Sequence, residues 1–308
     1  MENTRAKTTR NSLILLLTAT IWGMAFVSQS KGMDYMHPFT FNGVRSLIGA
    51  AGILVYILIS RKIAGDKAAK LDWKLNVRAG LLCGIFLTIA STLQQFGIKY
   101  TSVGKAGFIT TLYIIFVPMF GIFLKKKVAP VVWAAAGMAA VGMYLLCMTE
   151  SLRLGAGDIM VFLCAIAFAI QIMTVDHYAA RIDGAVVSCI QFTVCGVVCC
   201  IGALIWGQPT FGQIQEGLGA LLYAGVLSCG VGYTLQIVGQ KGLNPTVAAL
   251  IMSLESVIAT ISGWIAYKIG FLSTDQTLTP RQIAGCVIVF TAVILVQLPP
   301  EWFRFGKK

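Results

Sequence analysis

Long runs of apolar residues, separated by short polar stretches, cover most of this chain of 308 residues. Ten such runs lie at about 13–29, 40–59, 78–98, 104–124, 129–147, 158–176, 185–206, 217–239, 245–266 and 281–298. Most are close to the roughly 20 residues that a helix needs to cross about 30 Å of hydrocarbon. Strands of a membrane barrel would instead alternate over about 10 residues each. The pattern predicts an all-α integral membrane protein with ten transmembrane helices.

The composition strengthens the prediction of a membrane protein. Hydrophobic residues make up 57% of the chain and charged residues only 12%, whereas soluble domains have about 25% charged residues. The nine cysteines lie mostly inside apolar runs and show no C-x-x-C spacing. We therefore interpret them as small buried side chains and not as disulfides or metal ligands. The first run lacks a small-residue cleavage site, so we expect it to remain as a helix.

The net charge of +12 is distributed unevenly between the two predicted membrane surfaces. With the N-terminus inside, seventeen of the 24 Lys and Arg residues fall on the cytoplasmic side and six on the outer side, while Arg45 lies within a span. This asymmetry follows the positive-inside rule with both termini cytoplasmic. A nucleic-acid surface would need these charges on one folded face among aromatic residues, so we exclude nucleic acid as a partner. The expected location is a bacterial plasma membrane.

One sequence motif occurs twice in the chain. "TLQQFGIK" at 92–99 and "TLQIVGQK" at 234–241 match at five of eight positions, and the same offset of 142 pairs Ala106 with Ala248. Because each half would contain an odd number of helices, the two copies have opposite orientations in the membrane. Secondary transporters use such inverted repeats. We predict two inverted five-helix repeats at 12–148 and 157–298, with cytoplasmic tails at 1–11 and 299–308.

Several sequence motifs resemble those of EamA domains in the drug/metabolite transporter superfamily. They are "IWGMAFV" in the first span, Arg45 with its trailing small residues, "GDIMVFLCAIAFA" at 157–169 and "SLESVIATISGWIAYKIG" at 253–270. The resemblance covers residues 12 to 298 as two tandem units. One departure is Ser256, which follows Glu255 where the family usually has proline. The resemblance implies a ten-helix transporter that moves a small metabolite, often outward.

Glu255 is the only one of the twelve acidic residues well inside a predicted span. Burying a carboxylate in the membrane is costly, which makes Glu255 a functional hypothesis. It could bind a substrate amine or take up a proton. The structural alternative is that it caps a helix break or pairs with a basic group. Tyr113 stands 142 residues earlier, so the two halves present different chemistry at one symmetric position.

Arg45 lies roughly seven residues into the second span, about 10 Å deep at 1.5 Å per residue. Three roles are open to its side chain. It could meet a substrate carboxylate with its planar fork, form an ion pair with Glu255, or extend to the outer interface. We favour a structural, coupling or gating role for Arg45 over direct substrate binding, and a coupling or gating role is also open to Glu255.

Polar and aromatic residues recur inside the otherwise apolar spans, which suggests a wet cavity. The predicted substrate-binding residues are Trp22, Gln94, Gln95, Tyr113, Gln171, Gln236, Met252 and Glu255. Phe168, one turn before Gln171, could also wall this cavity. Hydrogen bonding between helices would explain the same glutamines, and a tryptophan in a membrane helix is often no more than a packing residue.

We predict a secondary transporter that works by alternating access, with export of amino acids or similar small polar compounds as the leading function. Uptake and proton-coupled export of amphiphilic drugs are the alternatives, and a scaffold or an enzyme acting on lipid-linked substrates is a more distant one. The sequence has no Walker A motif, no catalytic pair at the interface and no paired spacing of its two histidines. We therefore expect no enzymatic activity, cofactor or metal. The expected partners are a small-molecule substrate and the lipid bilayer, and a homodimer is left open.

Overall fold

A computed structural model describes residues 2–65, 71–101, 103–124, 130–147, 155–272 and 277–297, and it contains helices and no strand within them. The α-helices are α1 Glu2–Gly32, α2 Pro38–Ala64, α3 Trp73–Ile98, α4 Val103–Thr111, α5 Tyr113–Phe123, α6 Pro130–Cys147, α7 Ala156–Tyr178, α8 Gly184–Gly202, α9 Phe211–Glu216, α10 Leu218–Leu222, α11 Tyr233–Gln240, α12 Pro245–Met252, α13 Glu255–Lys268 and α14 Pro280–Gln297. Two π-helical segments occupy Ala203–Gly207 and Tyr223–Gly232. The prediction of an all-helical chain is confirmed for these residues.

Eight helical stretches of the described chain are long and apolar enough to cross a membrane. They are Lys7–Gly32, Pro38–Ala64, Trp73–Ile98, Val103–Phe123, Ala156–Tyr178, Gly184–Gly207, Leu218–Gln240 and Pro245–Lys268. Shorter apolar helices, Pro130–Gly142 and Pro280–Leu295, stand where the sequence predicts the other two spans. These belong to α6 and α14, which pack against each other. The basic residues 125–127 and the tail 299–308 lie outside the described residues, and the count of ten spans stays a prediction.

Side-chain caps fix where two of the spans begin. The imidazole of His37 accepts a hydrogen bond from the Phe39 N–H at 3.3 Å at the start of α2. The Asp183 carboxylate accepts from the N–H groups of Ala185 and Val186, at 3.0 and 3.2 Å, at the start of α8. Both caps satisfy N–H groups that have no partner within their own helix. They therefore stabilise the first turns of α2 and α8.

Two spans are broken in the middle, and both breaks have the same construction. One separates α4 from α5 at Leu112, and the other separates α12 from α13 at Leu254, 142 residues later. Just before each break, the hydroxyl of Thr111 or Ser253 donates to the carbonyl three residues earlier, at 2.9 and 2.7 Å. Such bonds compete with the helical ladder and favour a turn. The residue that follows each break, Tyr113 or Glu255, is buried inside the bundle.

Helices from the two ends of the sequence interleave. Helix α1 packs against α13, α2 against α8 and the π-helical segment 223–232, and α3 against both α7 and α8. Gly97 and Gly157 let α3 and α7 approach closely. A Cβ built on either glycine would lie 2.8 or 2.9 Å from the carbonyl oxygen of the other. The chain therefore forms one bundle in which every long helix has a neighbour from the other half.

Candidate functional site

A polar cavity lies in the middle of the bundle, where helices of both halves meet. It collects seven of the side chains that the sequence predicts for a substrate site or gate: Trp22, Arg45, Gln94, Tyr113, Gln171, Gln236 and Glu255. These residues come from α1, α2, α3, α5, α7, α11 and α13. The fold thus brings together groups that are scattered over more than 230 positions of the sequence.

The carboxylate of Glu255 projects from the second helix break. Glu255 is the first residue of α13, and Tyr113 is the first residue of α5 after the equivalent break. The Tyr113 hydroxyl donates a hydrogen bond to Glu255 Oε1 at 3.0 Å, so residues 142 positions apart meet in space. Glu255 is only 4% exposed, and no ion pair of the described residues includes it. Because an ionised carboxylate has about four acceptor sites, Glu255 retains capacity to bind a donor.

A second buried charge, Arg45 on α2, borders the same cavity. Arg45 is 5% exposed, and its guanidinium carbon lies 5.4 Å from the centre of the Phe41 ring. Its Nε has no hydrogen-bond partner among the described residues, and no ion pair there includes Arg45. The expected alternatives of an ion pair with Glu255 and of extension to the outer interface are therefore not what the structure forms. The guanidinium is buried beside the cavity with donors to spare.

The glutamines use their side-chain amides differently in the two halves. Gln94 Nε2 donates to the hydroxyl of Thr110 at 3.2 Å. Gln171 and Gln236 face each other and exchange two hydrogen bonds, at 3.4 and 3.2 Å. A reciprocal amide pair uses one donor and one acceptor of each partner and leaves the second N–H of each free to bind a ligand. The glutamines therefore line the cavity while also joining helices, so both roles foreseen from the sequence are present in the geometry.

Two of the predicted site residues do not border the cavity. Gln95 is fully buried, and its Nε2 donates to the backbone carbonyl of Gln29 at 3.1 Å. Met252 is also fully buried, within the main hydrophobic core. A step of one residue rotates a side chain by about 100° around a helix, which is why Gln94 faces the cavity and Gln95 faces α1.

Aromatic rings close one wall of the cavity. Trp22 and Tyr233 lie with ring centres 4.5 Å apart, and Tyr233 meets the edge of Phe192 at 5.0 Å. The indole N–H of Trp22 donates to the carbonyl of Ser228 at 3.4 Å. These contacts hold the rings in fixed, mutually tilted orientations, so the wall offers aromatic surface beside the buried charges.

The cavity is small in the conformation that the structure describes. The centre of a water molecule can move through only about 30 Å³ of it. Since one water needs about 10–15 Å³ by this measure, the cavity holds about two waters. A metabolite of several heavy atoms would need the surrounding helices to move apart.

Half of the cavity could have been found by applying the repeat offset to every candidate. Four pairs of lining residues are separated by 142 positions: Phe26 with Phe168, Gln29 with Gln171, Gln94 with Gln236, and Tyr113 with Glu255. Phe26 and Gln29 were not singled out in the sequence, although subtracting 142 from Phe168 and Gln171 leads directly to them. Subtracting 142 from Met252 likewise leads to Thr110, whereas Ile172 and Tyr233 had no comparable signal. The cavity therefore lies where equivalent positions of the two halves converge.

Comparison with known proteins matches both halves of the chain to one family. Residues 10–148 and 155–298 each match the EamA-like transporter family. A protein named "Uncharacterized transporter" from Archaeoglobus fulgidus is 27% identical over 290 residues, which cover 92% of this chain and 84% of that protein. "Uncharacterized transporter YwfM" from Bacillus subtilis is 24% identical over 295 residues, which cover 94% of each chain.

The fold is also similar to that of a protein of known crystal structure. The two superpose with a TM-score of 0.74 at 16% sequence identity, over 96% of this chain and 99% of the other. At that identity the likeness concerns the fold alone. The chain belongs to the EamA-like transporter family and is a multi-pass membrane transporter.

Proposed function

We propose that this EamA-family transporter is a secondary transporter that moves amino acids or similar small polar metabolites by alternating access, in the direction of export. One observation carries the proposal. A single buried cavity contains a guanidinium with no carboxylate partner among the described residues and a carboxylate whose hydrogen-bond partner is a tyrosine hydroxyl. Charges are costly to bury without partners, and a zwitterionic substrate would satisfy both.

Arg45 and Glu255 would divide the recognition of such a substrate. The planar guanidinium of Arg45 suits a carboxylate, because it can donate two parallel hydrogen bonds. Glu255 would accept from an ammonium group, and Tyr113 would orient the carboxylate. Trp22 and Tyr233 offer stacking area to the substrate's side chain. Gln94 and Gln236 would contribute amide donors and acceptors near the midplane.

Ten spans in two inverted repeats are the architecture that we propose for this mechanism. Eight long and two shorter apolar helices support the count. The matched helix breaks and the four cavity pairs at an offset of 142 support a two-fold relation that passes through the cavity. Rocking of one repeat against the other around this site would expose it alternately to each side of the membrane.

The proposed setting is a bacterial plasma membrane with both termini in the cytoplasm. Lys and Arg residues are in excess on the membrane surface that carries the N-terminus, and this excess supports that orientation. Orientation does not fix the direction of flux, so uptake is the alternative that a transport assay must distinguish from export.

The first test is a ligand screen by thermal shift on the purified protein, with amino acids, amines, nucleosides, sugars and amphiphilic cations as probes. We expect amino acids to raise the melting temperature of the wild type and of the control Glu216→Gln, which alters the exposed last residue of the short helix α9. Glu255→Gln should lose most of that rise. A rise produced only by amphiphilic cations would support drug export instead, and amino acids without effect would contradict the proposed substrate class.

The direction of flux needs a second measurement. The compound found in the screen should be added outside inverted membrane vesicles and outside intact cells that contain the transporter, and its loss should be followed from a second sample of cells that are preloaded with it. Export predicts accumulation in the inverted vesicles and net loss from the cells. Accumulation in intact cells would show uptake.

A further inference from the structure

An apolar groove and a basic pocket lie end to end on the flank of the bundle, apart from the central cavity. The groove has a volume of about 440 Å³ and lies between α2 and the stretch from the π-helical segment 223–232 into α11. The pocket has a volume of about 620 Å³ and lies at the end of the bundle where α2 and α11 end and α3 and α8 begin. Tyr56, Thr234 and Val238 border both. The two therefore form one continuous depression.

Missing side chains shape the groove. At Gly49 the helices touch, since a Cβ built there would lie 2.7 Å from Cys229 Cβ and 2.9 Å from the carbonyl oxygen of Gly225. One turn further along α2, a Cβ on Gly52 would meet no atom within 4 Å. A Cβ built on Gly230, on the opposite wall, would have its nearest neighbour, the carbonyl oxygen of Gly225, at 3.5 Å. The groove thus has a tightly packed floor and an open mouth, a shape suited to a flexible hydrocarbon chain.

The pocket at the end of the groove has a net positive charge, since three cations and two carboxylates line it. Arg61, Arg181 and Lys241 line it, and within the described part of the chain none of the three belongs to an ion pair. Asp72 and Asp183 also line it, but their carboxylates accept backbone N–H groups at the starts of α3 and α8. The Lys241 ammonium reaches a backbone carbonyl, at 3.2 Å. The pocket therefore has cationic donors available for an anion.

The length of the depression matches one leaflet of a bilayer. Gly49 and Arg61 are separated by twelve positions of α2, which is about 18 Å at 1.5 Å per residue. Half of a hydrocarbon core of about 30 Å is about 15 Å. A groove that begins near the midplane and ends in cations at the surface has the dimensions and polarity of a lipid. A soluble anion would fill the pocket and leave the groove empty.

We propose that the groove and pocket bind one anionic phospholipid, with an acyl chain along Gly49, Gly52 and Gly230 and the phosphate at Arg61, Arg181 and Lys241. Basic pockets between transmembrane helices bind anionic head groups through the same combination of charge and apolar contact. The site is separate from the central cavity, so the proposal does not depend on which substrate is transported.

The charge of the pocket is tested by native mass spectrometry of the purified transporter with dioleoyl phosphatidylglycerol or dioleoyl phosphatidylcholine. The wild type should retain one phosphatidylglycerol in preference to phosphatidylcholine. Arg61→Gln combined with Arg181→Gln should weaken phosphatidylglycerol binding by about fivefold for each cation removed. The control is Lys62→Gln with Lys74→Gln, which removes the same charge from exposed positions at the same end and should leave the affinity unchanged.

The apolar part is tested by Gly52→Leu, which would place an apolar side chain in the groove and whose Cβ would meet no atom within 4 Å. We expect this variant to lose phosphatidylglycerol while its melting temperature stays within a few degrees of the wild type. Gly137→Leu is the matched control, because Gly137 lies on α6 and a Cβ there also meets open space.

Three results would overturn the proposal. One is equal retention of the two lipids by the wild type. Another is undiminished phosphatidylglycerol binding by Gly52→Leu. The third is displacement of phosphatidylglycerol by glycerol 3-phosphate at a similar concentration, which would assign the pocket to a soluble phosphate.

Discussion

The two halves of the central cavity have the same geometry and different chemistry. Each half has a broken span, a glutamine on the neighbouring helix and a residue just after the break that points inward. The first half places Tyr113 there and the second half Glu255. Likewise, Arg45 corresponds to Gln191 at an offset of 146, and Gln191 is a neutral side chain that is fully buried with no amide partner among the described residues.

In the proposed function, this difference would let a repeated structure bind an asymmetric molecule. Repetition determines where side chains project, because the breaks and crossings recur. Substitution at a few positions then puts a cation in one half and an anion in the other. Variants that remove one member of a pair measure how much each half contributes, and we expect the effects to decrease from Glu255 to the helix caps.

Of the variants considered, Glu255→Gln should have the largest effect on transport. It keeps the size of the side chain and removes the anion, so we expect substrate counterflow in proteoliposomes to fall by about 100-fold. Hydrogen bonds to charged groups are worth up to about 3 kcal/mol, and each 1.4 kcal/mol is a factor of ten. Counterflow at the wild-type rate in Glu255→Gln would show that Glu255 is structural. The control is Glu216→Gln, which should transport at the wild-type rate.

Arg45→Met should have the next largest effect, and its two consequences should have opposite signs. Loss of a charged contact of about 2 kcal/mol predicts substrate affinity about 30-fold weaker, measured by titration calorimetry. The unliganded protein should melt at a higher temperature, because a buried guanidinium with an unpartnered Nε is replaced by an apolar side chain. A lower melting temperature with unchanged affinity would assign Arg45 to structure.

The glutamines allow a comparison between equivalent positions. Gln236→Leu would leave Gln171 without its two amide bonds, whereas Gln94→Leu would free only the Thr110 hydroxyl. An unsatisfied buried polar group costs about 1–3 kcal/mol. We expect affinity to fall about tenfold for Gln236→Leu and about threefold for Gln94→Leu in the same titration. Equal losses would show that the two halves contribute alike.

Tyr113→Phe removes the hydroxyl that holds Glu255 and leaves the ring in place. The loss of one hydrogen bond of about 1 kcal/mol predicts roughly a fivefold fall in the counterflow rate at substrate concentrations near the KM. Tyr233→Phe alters another ring of the same cavity, and it serves as the control because the bond to Glu255 comes from Tyr113. A loss as large as that of Glu255→Gln would mean that Tyr113 itself meets the substrate.

The smallest effect concerns the two helix caps, His37 and Asp183, which are also 146 positions apart. Burial, together with the positive charge of Lys99, holds the pKa of His37 below its ordinary value of 6.5. The unfolded chain therefore takes up the proton first, so the stability that the neutral cap provides is complete above about pH 6.5 and is lost as the pH falls from there through the lower folded pKa.

An N-cap is worth about 1 kcal/mol, which corresponds to a few degrees in melting temperature for a chain of this size. We expect the wild type to lose about 2 °C between pH 7.5 and 5.5. His37→Asn keeps a capping side chain that does not titrate and should remove the part of that loss that comes from His37. A slope that does not change in this variant would contradict the assignment.

The spans were predictable because a bilayer leaves a chain few options. About 20 apolar residues must form a helix there, and the predicted run 158–176 differs from Ala156–Tyr178 by two residues at each end. The helix breaks were not predictable, since Leu112 and Leu254 are ordinary helix formers and no glycine or proline marks either position. A serine or threonine hydroxyl bonds to the backbone at each break, but many such residues in membrane helices do so without breaking them, so this signal does not identify a break in the sequence.

The site was predictable in part for a similar reason. Glu255, Arg45 and the glutamines stand out because polar groups in a membrane span need partners. Which partner each one finds depends on packing. The sequence allows an ion pair between Arg45 and Glu255, but the structure does not contain it. The repeat resolves some of this ambiguity, as the meeting of Tyr113 with Glu255 shows. It cannot identify Tyr233, whose equivalent position 142 residues earlier is Ser91 and does not border the cavity.

The narrowness of the cavity has a consequence for measured affinities. A transporter molecule whose central cavity holds only about two waters cannot hold a metabolite. Only the fraction of transporter molecules in a conformation with a wider cavity is therefore able to bind substrate. If about one molecule in a hundred is wide at any moment, the apparent dissociation constant is about 100-fold weaker than that of the wide form. Weak apparent binding of a substrate is then compatible with many good contacts, because part of the binding free energy is used to shift this equilibrium.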